Sequence, residues 1–222
     1  MADRTSRRVA AGSAAACLVA GVVAVTVALV AGPGPGLTGY VSEAGVTDSG
    51  YAGTYRIGVF ALAAALLLLA AALPPAVRAA PGLLGTGAVA TVLSGAVTCS
   101  TGCPLPPFEA ATVADLVHGG ASIAATAAVV FAMLAVLLSP AAGTALRRVA
   151  ALGAALALPL SGAVGLAMLL VGRGALVGVL ERVLLGVVAA WGLGTALLCG
   201  CKGPHGKRSF HPRRDGSSVG RR

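Results

Sequence analysis

The residues best suited to chemistry in this sequence are a carboxylate and an imidazole three positions apart, Asp115 and His118. In a helix, residues at this spacing project from the same face. Glu181 and Arg182 form a second ionisable pair. Because adjacent helical residues point about 100° apart, we do not expect these two side chains to pair with each other. A carboxylate, an imidazole and a guanidinium brought together could transfer protons, hold a phosphate or carboxylate, or bind a metal ion.

Further candidates lie near Arg56, which begins another apolar segment, and in the loop before it, which carries Ser42 and Glu43. The residues proposed for catalysis are Asp115, His118 and Glu181, and those proposed for ligand binding are Ser42, Glu43, Arg56 and Arg182. In an enzyme, His118 is the expected general base or metal ligand, with the carboxylates orienting it or completing a metal shell. Ser42 is either a nucleophile or the cap of a turn. The sequence identifies no cofactor, and one histidine with several carboxylates suits a hard divalent ion better than zinc. No H-E-x-x-H motif is present.

Two cysteines lie four residues apart in the segment Cys99-Ser-Thr-Gly-Cys103. Outside the cytoplasmic membrane disulfides are permitted, so a Cys99–Cys103 bridge closing a tight loop is one interpretation, and two free thiols are the other. Metal binding by these cysteines is disfavoured because neither a histidine nor a further cysteine stands near them in the sequence.

The composition of the chain indicates the class of protein that carries these residues. The chain has 222 residues, of which 57% are hydrophobic and only 10% are charged, and its mean hydropathy is +0.93. Soluble domains carry about 25% charged residues, so this chain cannot cover a surface that faces water. Disordered chains and disulfide-rich secreted scaffolds are excluded by the same numbers. The composition therefore predicts an integral membrane protein.

A bilayer core about 30 Å thick requires about 20 apolar residues per helix. Six segments meet this requirement, at about 9–31, 57–77, 83–98, 113–138, 149–171 and 177–198. The third is the shortest and the richest in glycine and threonine. The predicted fold is all-α, a polytopic bundle of six transmembrane helices.

The basic residues predict the orientation of the bundle. With six spans, thirteen of the sixteen Lys and Arg residues fall on one side, and only Arg56, Arg173 and Arg182 on the other. Because Lys and Arg are enriched in cytoplasmic loops, both termini are expected in the cytoplasm and the protein in the plasma membrane. Five of the seven carboxylates, including Asp115 and Glu181, map to the opposite, outer half. We therefore expect the outer ends of the helices to carry the polar site.

The predicted organisation is a cytoplasmic N-terminus at 1–8, a transmembrane domain at 9–200 and a basic, disordered cytoplasmic tail at 201–222. The tail either binds anionic lipid headgroups or only helps to fix the orientation. Nucleic-acid binding is not expected, because Phe210 is the only aromatic residue among its charges. Membrane lipids are the expected partners, and the oligomeric state is not predicted.

Several short motifs at the outer ends of the helices resemble those of the bacterial and archaeal family called domain of unknown function 998. They are Ser42-Glu43-Ala44-Gly45, Tyr55-Arg56-Ile57-Gly58, Asp115 with His118, and Gly178-Val179-Leu180-Glu181-Arg182. Loop 99–107 departs from the Phe-Pro-type approach to the aspartate in that family. The resemblance covers about residues 15–200 and implies a six-helix membrane domain, without implying an activity.

Three functions stay open at this point. The first is structural or scaffolding, in which Asp115 and Glu181 pair with Arg182 and Arg56 and fix the helix register. The second is binding or translocation of a lipid headgroup, a small solute or protons. The alternative is a hydrolase-like enzyme that acts on a lipid or lipid-linked substrate at the outer leaflet. Binding and catalysis both require that the polar residues meet in one pocket that opens outward.

Overall fold

The structure, a computed structural model, describes residues 3–32, 36–46 and 48–201. Within these residues six long helices follow one another: α1 Arg4–Ala31, α2 Ala52–Ala72, α3 Ala79–Ala96, α4 Val113–Leu138, α5 Thr144–Leu170 and α6 Ala175–Cys201. Two short 3-10 helices, Gly36–Thr38 and Val41–Gly45, lie between α1 and α2. All six α-helices are long and apolar enough to cross a membrane. The predicted all-α fold with six spans is confirmed.

The helix boundaries show which local residues decide them. α4 has the predicted limits because Thr112 caps its beginning and Ser139, which precedes a proline, ends it. α2 begins at Ala52 and ends at Ala72, five residues earlier at both ends than expected. Leu73 adopts an extended conformation, since the residue before a proline disfavours the helical region.

The helices form a closed ring in which each packs against its neighbours in the chain and α6 packs against α1. α1 and α6 run antiparallel, because Leu18 approaches Gly192 whereas Ala11 approaches Gly200. The beginning of α1 and the end of α6 therefore lie at the same end of the bundle. We call this end inner and the opposite end outer, after the predicted orientation, which stays a prediction. Of the predicted tail at 201–222, Cys201 is the last residue of α6, and residues 202–222 lie outside the described residues.

Large apolar side chains fill the middle and the inner half of the bundle. Leu84, Met133 and Val136 are fully buried, and Trp191 is nearly so. Gly153 allows α5 to approach α6, because a Cβ at this position would lie 2.8 Å from Cδ1 of Trp191. This core fixes the relative positions of the helices that carry the polar residues at the outer end.

The outer end is closed by a folded loop, residues 36–46, which we call the plug. Tyr40, Val41 and Ala44 of the plug are buried. Val41 and Ala44 pack with Tyr55 of α2. Tyr40 packs with Cys99 of the loop between α3 and α4, which we call the second outer loop. The plug is therefore part of the packed structure, and its position decides what can enter the bundle from the outer side.

Candidate functional site

Asp115 joins the second outer loop to the beginning of α4. It is the third residue of the helix, and with Thr112 it forms a capping box, the arrangement expected when a carboxylate follows a threonine cap by three residues. Its carboxylate accepts hydrogen bonds from the backbone N–H groups of Ser100 at 2.7 Å and Thr112 at 2.8 Å, and from both hydroxyls. The side chain is 1% exposed. Both carboxylate oxygens are thus engaged in holding the loop.

Glu181 and Arg182 fasten the plug to α6. Glu181 Oε2 accepts a hydrogen bond from the backbone N–H of Val41 at 3.0 Å. The Arg182 guanidinium donates to the carbonyl of Gly39 at 2.9 Å and also to that of Gly36. Within the described residues neither side chain forms an ion pair. The expectation that Asp115 and Glu181 pair with Arg182 and Arg56 is therefore wrong, since the carboxylates bind backbone N–H groups of the loops.

Arg173 is a residue of the outer end that sequence reasoning counted only as a charge. Its guanidinium contacts Glu43 at 3.2 Å and Glu109 at 3.8 Å. Glu43 also accepts a hydrogen bond from the backbone N–H of Tyr40 at 2.9 Å. Burial, and then the negative charge of Glu181, raises the pKa of Tyr40. An isolated arginine in a short outer loop, opposite an excess of carboxylates, was the feature that could have revealed Arg173.

His118 is oriented by backbone carbonyls of the α3 end and not by Asp115. Its Nδ1 lies 2.8 Å from the carbonyl oxygens of both Ser94 and Val97. Because carbonyls only accept hydrogen bonds, Nδ1 carries a proton, and in the neutral form of the ring Nε2 then presents a lone pair. Nε2 is buried and has no hydrogen-bond partner among the described residues, and the residue is 5% exposed. The ring therefore has one nitrogen available for chemistry.

A small pocket lies beside this ring. Its polar lining includes Ser42, Tyr55, Arg56, Ser94 and His118. The volume of the pocket is about 10 Å³, which is enough for one water molecule. Nε of Arg56 is buried and also lacks a hydrogen-bond partner within the described residues.

The structure thus divides the predicted site residues into two groups. Ser42, Arg56 and His118 meet at the pocket. The others, Glu43, Asp115, Glu181 and Arg182, hold the loops. The pocket is therefore lined by only three of the seven residues that the sequence predicted to share it.

Cys99 and Cys103 are joined by a disulfide and lie next to His118. One potential ligand atom from each of the three residues lies within 4.8 Å of the others. His118 is not close to these cysteines in the sequence, but the fold brings the beginning of α4 next to the loop that carries them. Among the described residues, the carboxylates of Asp115 and Glu181 are not in this group, so the hard-ion shell predicted around His118 is not assembled.

One comparison with known proteins gives a match. The model of a family described as Protein of unknown function (DUF998) matches residues 13–198, a range that includes the pocket, the plug and both bridged cysteines. Comparisons with curated proteins and with solved structures give no match.

Proposed function

The chain belongs to the family described as Protein of unknown function (DUF998), and we propose that this multi-pass membrane protein binds a small anionic group in its outer pocket. A phosphate or carboxylate, carried by a lipid headgroup or by a small solute, has the required chemistry. The proposal includes a plasma-membrane location with both chain ends in the cytoplasm, which the distribution of Lys and Arg favours.

The observation that carries the proposal is Arg56 Nε, a buried N–H donor without a hydrogen-bond partner among the described residues, in a pocket that Arg56 lines together with His118. An anion oxygen can accept a hydrogen bond from this donor, whereas the lone pair of His118 Nε2 requires a donor, such as a water molecule or a hydroxyl of the ligand. Leaving a buried donor or acceptor unsatisfied costs about 1–3 kcal/mol, so these atoms are expected to gain a partner from a ligand or from water. The loop-anchoring residues already have theirs. At the outer end of the described structure, the polarity that is still available for binding is therefore concentrated at the pocket. The other buried side-chain atoms without partners among the described residues belong to Ser161, Trp191 and Thr195 of α5 and α6.

The size of the pocket limits how a ligand enters. Room for about one water admits one oxygen atom of a larger group. Arg56 lies in the first turns of α2, near the outer end of the bundle. A phosphate or carboxylate oxygen can thus reach Arg56 while the remainder of the ligand stays outside, and guanidinium is well suited to such oxyanions.

The test uses the full-length, oxidised protein in nanodiscs, and native mass spectrometry measures the retained lipid. Phosphatidylglycerol and phosphatidylcholine discs are compared, with inorganic phosphate added in a separate arm. We expect the anionic lipid to be retained preferentially and Arg56→Gln to weaken retention about tenfold, since a hydrogen bond to a charged group is worth about 1.5–3 kcal/mol. Displacement of the lipid by phosphate identifies a small solute as the ligand.

Arg173→Gln is the matched control, because it removes a guanidinium from the same end of the bundle but outside the pocket. Equal retention of both ligands by the Arg56 and Arg173 variants would overturn the proposal.

The second candidate function is hydrolysis of a lipid or lipid-linked substrate at the outer leaflet. It is favoured by the fixed tautomer of His118, whose free Nε2 is suited to a general base, and by Ser42 in the same pocket. The Ser42 hydroxyl lies 3.4 Å from Sγ of Cys103, so it must rotate before His118 can activate it. Mass spectrometry of lipid products released by the wild type, but not by Ser42→Ala or His118→Ala, tests this function.

A further inference from the structure

The second outer loop places two sulfur atoms beside a histidine whose Nε2 has no hydrogen-bond partner among the described residues. Cys99, Cys103 and His118 are all buried, and their potential ligand atoms lie within 4.8 Å of one another. In metal sites, the ligating histidine generally donates its other ring N–H to a carbonyl or carboxylate, which fixes the ring. His118 has this arrangement through the carbonyls of Ser94 and Val97.

We propose that reduction of the Cys99–Cys103 disulfide converts this cluster into a site for a thiophilic metal ion, with Zn²⁺ as the representative ion. Two thiolates and one imidazole nitrogen are ligands that zinc prefers, whereas magnesium and calcium prefer oxygen. Because Nδ1 is engaged with carbonyls, Nε2 is the nitrogen left for the metal. The proposal is independent of anion binding, which concerns the oxidised protein.

The conversion balances as two steps. A dithiol reductant transfers two electrons and two protons to the disulfide, giving two thiols in the loop and a disulfide in the reductant. Zn²⁺ then replaces both thiol protons, which are released, and two Zn–S bonds form. Reoxidation of the two sulfurs by a disulfide oxidant reverses the sequence and releases the ion.

Three protein ligands leave the fourth position of a tetrahedral zinc ion open, as in catalytic zinc sites. Ser42 Oγ lies 3.4 Å from Cys103 Sγ, and Ser42, Cys99 and His118 all line the small pocket. Because these residues line the same pocket, a water molecule in it or the Ser42 hydroxyl would be available to complete the coordination. The redox state of the loop would thus decide whether the pocket holds a metal.

The test uses the full-length protein with Cys17, Cys199 and Cys201 replaced by serine, so that only the two loop cysteines remain. The protein is reduced with a phosphine, the reductant is removed, and Co²⁺ is added as a coloured substitute for Zn²⁺. We expect thiolate-to-cobalt absorption that saturates at one ion per chain and is lost when Zn²⁺ is added. The oxidised protein should give no such absorption.

Substitution of the ligands identifies the site. Cys103→Ser should abolish the absorption, and His118→Asn should weaken cobalt binding about tenfold or more, as losses around metal sites commonly do. Circular dichroism shows whether each variant is folded. Absence of the absorption in the reduced protein, or unchanged affinity in folded His118→Asn, overturns the proposal.

A second measurement needs no substitution at the site. The two loop cysteines of the reduced protein are alkylated with a maleimide, with and without Zn²⁺, and the modified peptides are quantified by mass spectrometry. We expect Zn²⁺ to slow the alkylation of Cys99 and Cys103 about tenfold or more, as thiolate coordination requires. Equal rates with and without the ion would also overturn the proposal.

Discussion

Glu181 in α6 accepts a hydrogen bond at 3.0 Å from the backbone N–H of Val41, which lies 140 residues away in the chain. The contact holds the plug in the mouth of the bundle, and the adjacent Arg182 holds the carbonyls of Gly36 and Gly39. Glu181 and Arg182, near the beginning of α6, thus provide hydrogen-bond partners for backbone groups of the inserted plug. The polar atoms at Arg56 and His118 are left available for ligands.

The first prediction concerns this contact. Glu181→Ala leaves the Val41 N–H without an acceptor in a buried environment, and an unsatisfied buried donor costs about 1–3 kcal/mol. We expect a lower midpoint of thermal unfolding and faster proteolysis within the plug. Glu181→Gln is the matched control, because its side-chain carbonyl can still accept the hydrogen bond. Equal effects of the two substitutions would show that the charge, and not the hydrogen bond, holds the plug.

The second prediction concerns Asp115, whose oxygens accept hydrogen bonds from Ser100 and Thr112. Asp115→Asn replaces one oxygen by an NH₂ group that faces other donors. Since hydrogen bonds to a charged group contribute about 1.5–3 kcal/mol each, we expect a destabilisation of about 3 kcal/mol. Thermal unfolding in detergent measures it, with Asp48→Asn as the exposed control. If Asp115 were a proton relay instead, the substitution would abolish pH-dependent transport in vesicles without lowering the stability.

The sequence predicts the elements of this fold better than their meeting points. The limits of α4 follow from Thr112, Asp115 and the proline after Ser139, which are local features. The spacing of Asp115 and His118 predicted that both lie near the start of one helix, as observed. It did not indicate which of the two side chains would cap the helix and so be unavailable for binding.

Contacts between distant segments could not be predicted in this way. The disulfide loop and His118 meet only because α3 and α4 pack side by side. The distance between the loop and His118 cannot be read from the sequence. Arg173 is a similar case, since its partner Glu43 lies 130 residues away in the chain. The insertion of the plug was also missed, because the sequence that leads into it, Gly32-Pro-Gly-Pro-Gly36, is typical of an irregular loop.

The third prediction concerns Gly45, at the end of the plug. A Cβ at this position would lie 2.5 Å from Cδ1 of Tyr55, a buried ring that cannot easily move away. Overpacking of this kind costs about 1–3 kcal/mol, so Gly45→Ala should lower the unfolding midpoint and loosen the plug. Gly53→Ala is the control, because a Cβ there meets nothing within 4 Å and alanine favours the helix. A midpoint that is unchanged in Gly45→Ala would contradict the observed packing of the plug on α2.

The last prediction compares the contribution of Arg173 to stability with that of Glu181, which binds the backbone of the plug. The Arg173 side chain is 37% exposed, and those of its partners are 39% exposed in Glu109, at 3.8 Å, and 8% exposed in Glu43, at 3.2 Å. Ion pairs in contact with water contribute about 0–1 kcal/mol, so Arg173→Gln should destabilise the protein by less than Glu181→Ala does. The difference between Arg173→Gln and the wild type should shrink further in high salt, because screening weakens exposed pairs. Thermal unfolding at low and high ionic strength measures both effects. A large, salt-independent loss would instead mean that the Arg173 guanidinium holds Glu43, and with it the plug, in an environment from which water is excluded.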